Sequence, residues 1–85
     1  MYFLTFCTLI VGVISAREFH VSLSGSDSSD GSEAHPFRTV QFASTSAQRG
    51  DIVTVHSGVY RERVHPPNSG VTFQSAPGDA VTVSY

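Results

Sequence analysis

Cysteine occurs once in this 85-residue chain, at Cys7, and that scarcity excludes an internal disulfide framework. It also leaves no Cys/His cluster for a metal, since His20, His35, His56 and His65 show no helix-face spacing. Long hydrophobic runs are equally scarce. The one apolar stretch, Tyr2 to Ser15, falls short of the roughly 20 residues a bilayer-spanning helix needs. It ends in Ala16 and the charged pair Arg17-Glu18, the pattern of a cleavable secretory signal whose positive end is only the terminal amine. Residues 1–16 are therefore expected to be removed, leaving a secreted, extracellular chain of residues 17–85 without cysteine. Charge of one sign is lacking too. A net charge of -2 argues against nucleic acid, or a membrane surface after signal removal, as partner. The sequence contains no phosphate loop, nucleotide fingerprint or nucleophile elbow.

What remains is rich in Ser, Gly, Thr and Val. Glu18 to Leu23 alternates Phe19, Val21 and Leu23 with polar residues, the period of a half-buried strand. Ser24 to His35 reads as a loop with a tight turn at Asp30-Gly31. Pro36 is placed to open a short helix whose apolar stripe is Phe37, Val40, Ala43 and Ala47, with Gly50 as its left-handed cap. Ser44-Thr45-Ser46 weakens that helix by competing for backbone hydrogen bonds, so it should form only by packing. Phe42 lies off the stripe. From Asp51 onward four short alternating segments follow: 52–56, 60–64, 71–75 and 80–85.

Gly50-Asp51-Ile52-Val53-Thr54-Val55 recurs 28 residues later as Gly78-Asp79-Ala80-Val81-Thr82-Val83. That interval, with short strands inside it, suits one coil of a β-solenoid. Stacking the copies sets Val53 over Val81 and Val55 over Val83, all facing inward, with Thr54 and Thr82 paired outside. A coil cannot bury both of its own faces. The helix is expected to cover the open edge of the first one.

The segments His20-Val21-Ser22, Gly25-Ser26-Asp27, Gly31-Ser32 and His35 to Gln41, with the first hexapeptide and Gly58 to Val64, resemble a known group. They are similar to the N-terminal region of secreted right-handed parallel β-helix proteins of the pectate-lyase-like superfamily. Tyr60 to Pro67 most resembles the β-helix glycoside hydrolases that act as β-xylosidases. The resemblance implies a mainly β fold: an N-terminal cap of strand, loop and short helix, then the first one or two coils of a truncated β-helix. It also implies a polysaccharide or oligosaccharide partner, with the catalytic carboxylates beyond Tyr85 and this stretch alone inactive. Asn68-Ser69-Gly70 departs from the basic residue and paired glycines usual at that loop.

The residues themselves offer weak chemistry. Glu62, between Tyr60 and Val64 on one strand face, is the candidate general acid, against the plainer reading of a structural ion pair. Glycoside hydrolysis needs two carboxylates about 5–9.5 Å apart, and no second one stands out. Arg61 and Arg63, on the other face, could hold an acidic sugar, or simply be solvated. Asp27, Asp30 and Glu33 could offer calcium its oxygen ligands, but the spacing fits no EF-hand and these are ordinary turn residues. No other cofactor is indicated. Arg49-Gly50-Asp51 spells an adhesion tripeptide, yet the repeat has Pro77-Gly78-Asp79 there, so Gly-Asp serves the turn. The two other readings are a non-catalytic β-helix surface or carbohydrate-binding protein, and a polysaccharide lyase with a calcium site on later coils.

Overall fold

The computed structural model describes residues 17–84; the expected signal segment lies outside them. The described chain is mainly β with one short helix. Its elements are β1 (Glu18–Val21), α1 (Val40–Ser46), β2 (Ile52–Val55), β3 (Gly58–Arg61), β4 (Thr72–Ser75) and β5 (Val81–Ser84). All strand pairs are parallel. One sheet has the order β1-β2-β4 and the other pairs β3 with β5, so from β2 onward the chain alternates between two sheets. Parallel neighbours need a long connection: β1 reaches β2 through the loop and α1, whereas the β2-to-β4 and β3-to-β5 connections each visit the other sheet on the way back.

The register corrects one expectation. Val53 stacks between Phe19 and Phe73, and Val55 between Val21 and Ser75. Val81 pairs with Gly58 and Val83 with Tyr60. The two hexapeptides therefore sit in different sheets. What repeats is a turn: Gly50 and Gly78 both have left-handed φ, +92° and +80°. In both, the following Asp N–H closes on a carbonyl three residues back, that of Gln48 or Ala76. The same turn launches a strand twice, and the resemblance carries no information about what lies above what. The strand faces follow the alternation nonetheless. Val21, Val53, Val55 and Tyr60 are buried and share a core with Phe37, Val40, Ala43 and Ala47. Thr54, expected outside, is only 2 % exposed because Glu18 and Gln74 cover it through its hydroxyl.

The helix begins later than the proline suggests. Phe37 pairs with Val21 as an isolated parallel bridge, its N–H donating to the His20 carbonyl. The Arg38 and Thr39 amides donate to Asp27, so residues 37–39 belong to the sheet edge and the loop. Thr39 is the N-cap: its hydroxyl accepts from Phe42 N–H and donates to Asp27. Ala47, extended, ends the helix, and Gly50 serves the later turn instead. The hydroxyls of Ser44 and Thr45 bond carbonyls three residues back, those of Gln41 and Phe42, which loosens the helix from within. The free edge of β1 is also satisfied by the loop rather than the helix, through His20 N–H to Gly31 and Ser22 N–H to Phe37. The helix plugs the interior with Val40 and Ala43, joined by Ala47 just past its end. Phe42 finds its reason in an edge contact with Phe37, their ring centres 4.9 Å apart.

Candidate functional site

Among the described residues nothing covers the far end of the two sheets, beyond β4 and β5. Val40, Val55, Val64, Pro66, Phe73 and Val81 are among the residues lining an open apolar hollow of about 470 Å³. Phe73 and Val83 remain 39 % and 49 % exposed although their register puts them on the inward face. The edge strands there, Thr72–Ser75 and Val81–Ser84, contain no charge and no proline. Those are the devices that normally blunt a free strand edge.

Glu62 follows β3, its backbone N–H continuing the ladder to Ser84. Its side chain is half-buried and turns to the helix start, where one carboxylate oxygen accepts from Val40 N–H at 3.0 Å and the other from Gln41 N–H at 2.8 Å. These are donors that a helix cannot satisfy internally. Arg61 and Arg63 are exposed on the opposite face, as the alternation implies. The three residues are adjacent but serve different surfaces.

Asp27, Asp30 and Glu33 do not converge. Asp27 accepts from Arg38 N–H, Thr39 N–H and the Thr39 hydroxyl. Burial pushes its carboxyl up, but the bonds from Thr39 and Arg38 outweigh this and hold it below the usual carboxylate value of 3.8. Asp30 accepts from Ser32 N–H in a local turn, and that bond lowers its carboxyl. Glu33 is exposed. Among the described residues no group of three or more His, Cys, Asp or Glu is placed to hold a metal ion. Asp51 of the adhesion-like tripeptide is 6 % exposed and faces inward to the turn. It accepts from Gln48 N–H at 2.9 Å and from the Arg17 guanidinium at 2.9 Å. The Gln48 amide leads in lowering its carboxyl; burial opposes and Arg17 assists.

One cluster escaped the sequence reading. His20 Nδ1 and His56 Nε2 are 2.9 Å apart. Glu18 lies 3.8 Å from the other His20 nitrogen and Asp79 lies 3.6 Å from the other His56 nitrogen. Helix spacing could not reveal it. Strand parity could, because His20 on β1 and His56, one residue past β2, share the outward parity of neighbouring strands.

No family model matches the chain. It is 34% identical over 75 residues to the uncharacterized protein YwoF of Bacillus subtilis (strain 168), an alignment covering 82% of this chain and 16% of that protein. Among solved structures it is similar to XylC, determined in complex with xylose, at 40% identity and a TM-score of 0.74. That match covers 75% of this chain and 11% of the XylC chain, so the sequence spans less than a fifth of either protein it resembles.

Proposed function

We propose that this chain is the N-terminal part of a secreted carbohydrate-active protein built as a right-handed parallel β-helix, most closely a glycoside hydrolase acting on xylose-containing saccharides. The observation that carries the reading is the likeness to XylC, solved with xylose, at 40% identity across 75% of the chain. The alternation between two parallel sheets supports it, since a winding of that kind extends by adding coils. The uncharged open end, with Phe73 and Val83 exposed, is the surface on which the next coil would rest. In this reading residues 17–84 supply the cap and first windings, and the paired carboxylates come from later coils.

The test is to express the longest reading frame containing residues 17–85 and assay it on aryl β-xylosides and xylo-oligosaccharides. Release of xylose by the long form, with none from the 85-residue chain, is the expected result. Saccharide binding without turnover would support a non-catalytic binding protein instead, and calcium-dependent eliminative cleavage a lyase. A reading frame that ends at Tyr85 in every transcript would overturn the proposal.

A further inference from the structure

The histidine pair has a geometry that the carbohydrate reading does not use. Its ring centres are 5.1 Å apart with planes 25° from parallel, while the facing nitrogens are 2.9 Å apart. A ring nitrogen lies about 1.1 Å from its ring centre, so nitrogen, nitrogen and both centres are nearly collinear. The rings meet edge to edge, with lone-pair directions along one line. Such an approach suits a single hydrogen between the nitrogens. A metal ion would need them farther apart, and further ligands with them.

Counting protons over the four groups gives the consequence. Two neutral imidazoles carry two N–H groups on four nitrogens. If one bridges the pair, only one remains for the outer nitrogens, and either Glu18 or Asp79 then faces a bare lone pair. A third proton suits every contact: the bridge holds, and each outer N–H faces a carboxylate at ion-pair distance, Glu18 3.8 Å from His20 Nε2 and Asp79 3.6 Å from His56 Nδ1. A fourth places hydrogens on both facing nitrogens and the bridge is lost. We propose that Glu18, His20, His56 and Asp79 form a binding site for one proton, and that this proton clasps β1, the end of β2 and the turn before β5 together.

Placement makes the clasp consequential. His20 is 13% exposed and His56 30%, so water competes poorly for the bridge. The charged groups seen facing the pair are Glu18 from β1 and Asp79 from the turn. Thr54 of β2 and Gln74 of β4 present only uncharged groups, tied to Glu18 through the Thr54 hydroxyl. Tyr60 of β3 donates its hydroxyl to the His56 carbonyl at 2.7 Å, and burial pushes that hydroxyl's pKa up. Asp79 also accepts from Ser57 N–H. The device is independent of what the protein binds.

Nitrogen-15 NMR of the imidazoles in the full 85-residue chain, titrated across the histidine range of about pH 5–8, tests the proposal. Expected are nitrogen–nitrogen coupling across the bridge and linked titration of His20 and His56. Asp79→Asn keeps one acceptor oxygen for Ser57 N–H while removing the negative charge, and should move the first uptake to lower pH. His56→Gln should abolish the coupling and turn His20 into a simple single-site titration. Two independent curves in the unaltered chain, or an Asp79→Asn titration that superimposes on it, would overturn the proposal.

Discussion

Replacing Glu62 separates structural from catalytic roles more sharply than any other change. Its two oxygens accept the Val40 and Gln41 amides at 3.0 and 2.8 Å, and the short helix has no acidic residue in its own first turn to substitute. Hydrogen bonds to a charged group contribute about 1.5–3 kcal/mol each when buried. Here the side chain is half-buried and water can reach the freed amides, which places each bond nearer 1 kcal/mol, in line with loss of a helix cap. Glu62→Ala should therefore cost about 2 kcal/mol. Glu62→Gln, which keeps one acceptor oxygen, should cost about 1 kcal/mol. For a domain this small each kcal/mol lowers Tm by about 4–8 °C, so the two variants should melt about 10 and 5 °C below the parent. Thermal unfolding followed by circular dichroism reads the global effect, and amide hydrogen exchange at Val40 and Gln41 reads the local one. Should the proposed longer form hydrolyse xylosides, Glu62→Gln in it should retain turnover at temperatures where it stays folded. Unchanged melting and exchange together with lost turnover would refute the structural assignment.

Three other expectations follow from the same geometry. Asp27, Asp30 and Asp51 all have carboxyls lowered in the folded chain, so their contribution is intact above the ordinary value of 3.8 and is lost as pH falls through their depressed folded values. Urea midpoints should fall below about pH 4, and Asp27→Asn should flatten that slope. Gly25→Ala should be severely destabilising, because a Cβ there would stand 2.4 Å from the Phe37 carbonyl oxygen and 2.5 Å from that of Pro36, both backbone atoms at the cap. Expression yield and far-ultraviolet circular dichroism check this. At the open end, Thr82→Lys should raise the concentration at which the 85-residue chain self-associates, measured by light scattering, because it adds charge to an uncharged edge strand.

How far the sequence could be read depended on the range of the physics. Strand faces were legible because alternation is local: Val53 and Val55, expected inward, are buried, while Val83, expected inward too, stays 49 % exposed at the uncovered edge. Of the expected helical stripe, all four residues are buried, but only Val40 and Ala43 are helical: Phe37 bridges to Val21 and Ala47 is extended. Strand pairing was not legible, because the repeated Gly-Asp turn is also local and says nothing about partners. The true partners, Ile52 with Thr72 and Gly58 with Val81, share no motif. Helix onset was missed because Asp27 claims the Arg38 and Thr39 amides from eleven and twelve residues away. The roles of Glu62 and of the histidine pair likewise appear only once distant segments are brought together.

Paired residues of β1 and β2 lie 34 positions apart in the chain (Glu18 with Ile52), whereas those of β2 and β4 lie 20 apart and those of β3 and β5 lie 23 apart. Loop-closure entropy makes that first encounter the costliest, and synthesis delivers its participants first. Every later stretch meets a template already in place as it leaves the ribosome. Growth in that order would be vectorial, seeded by the pairing of β1 with β2.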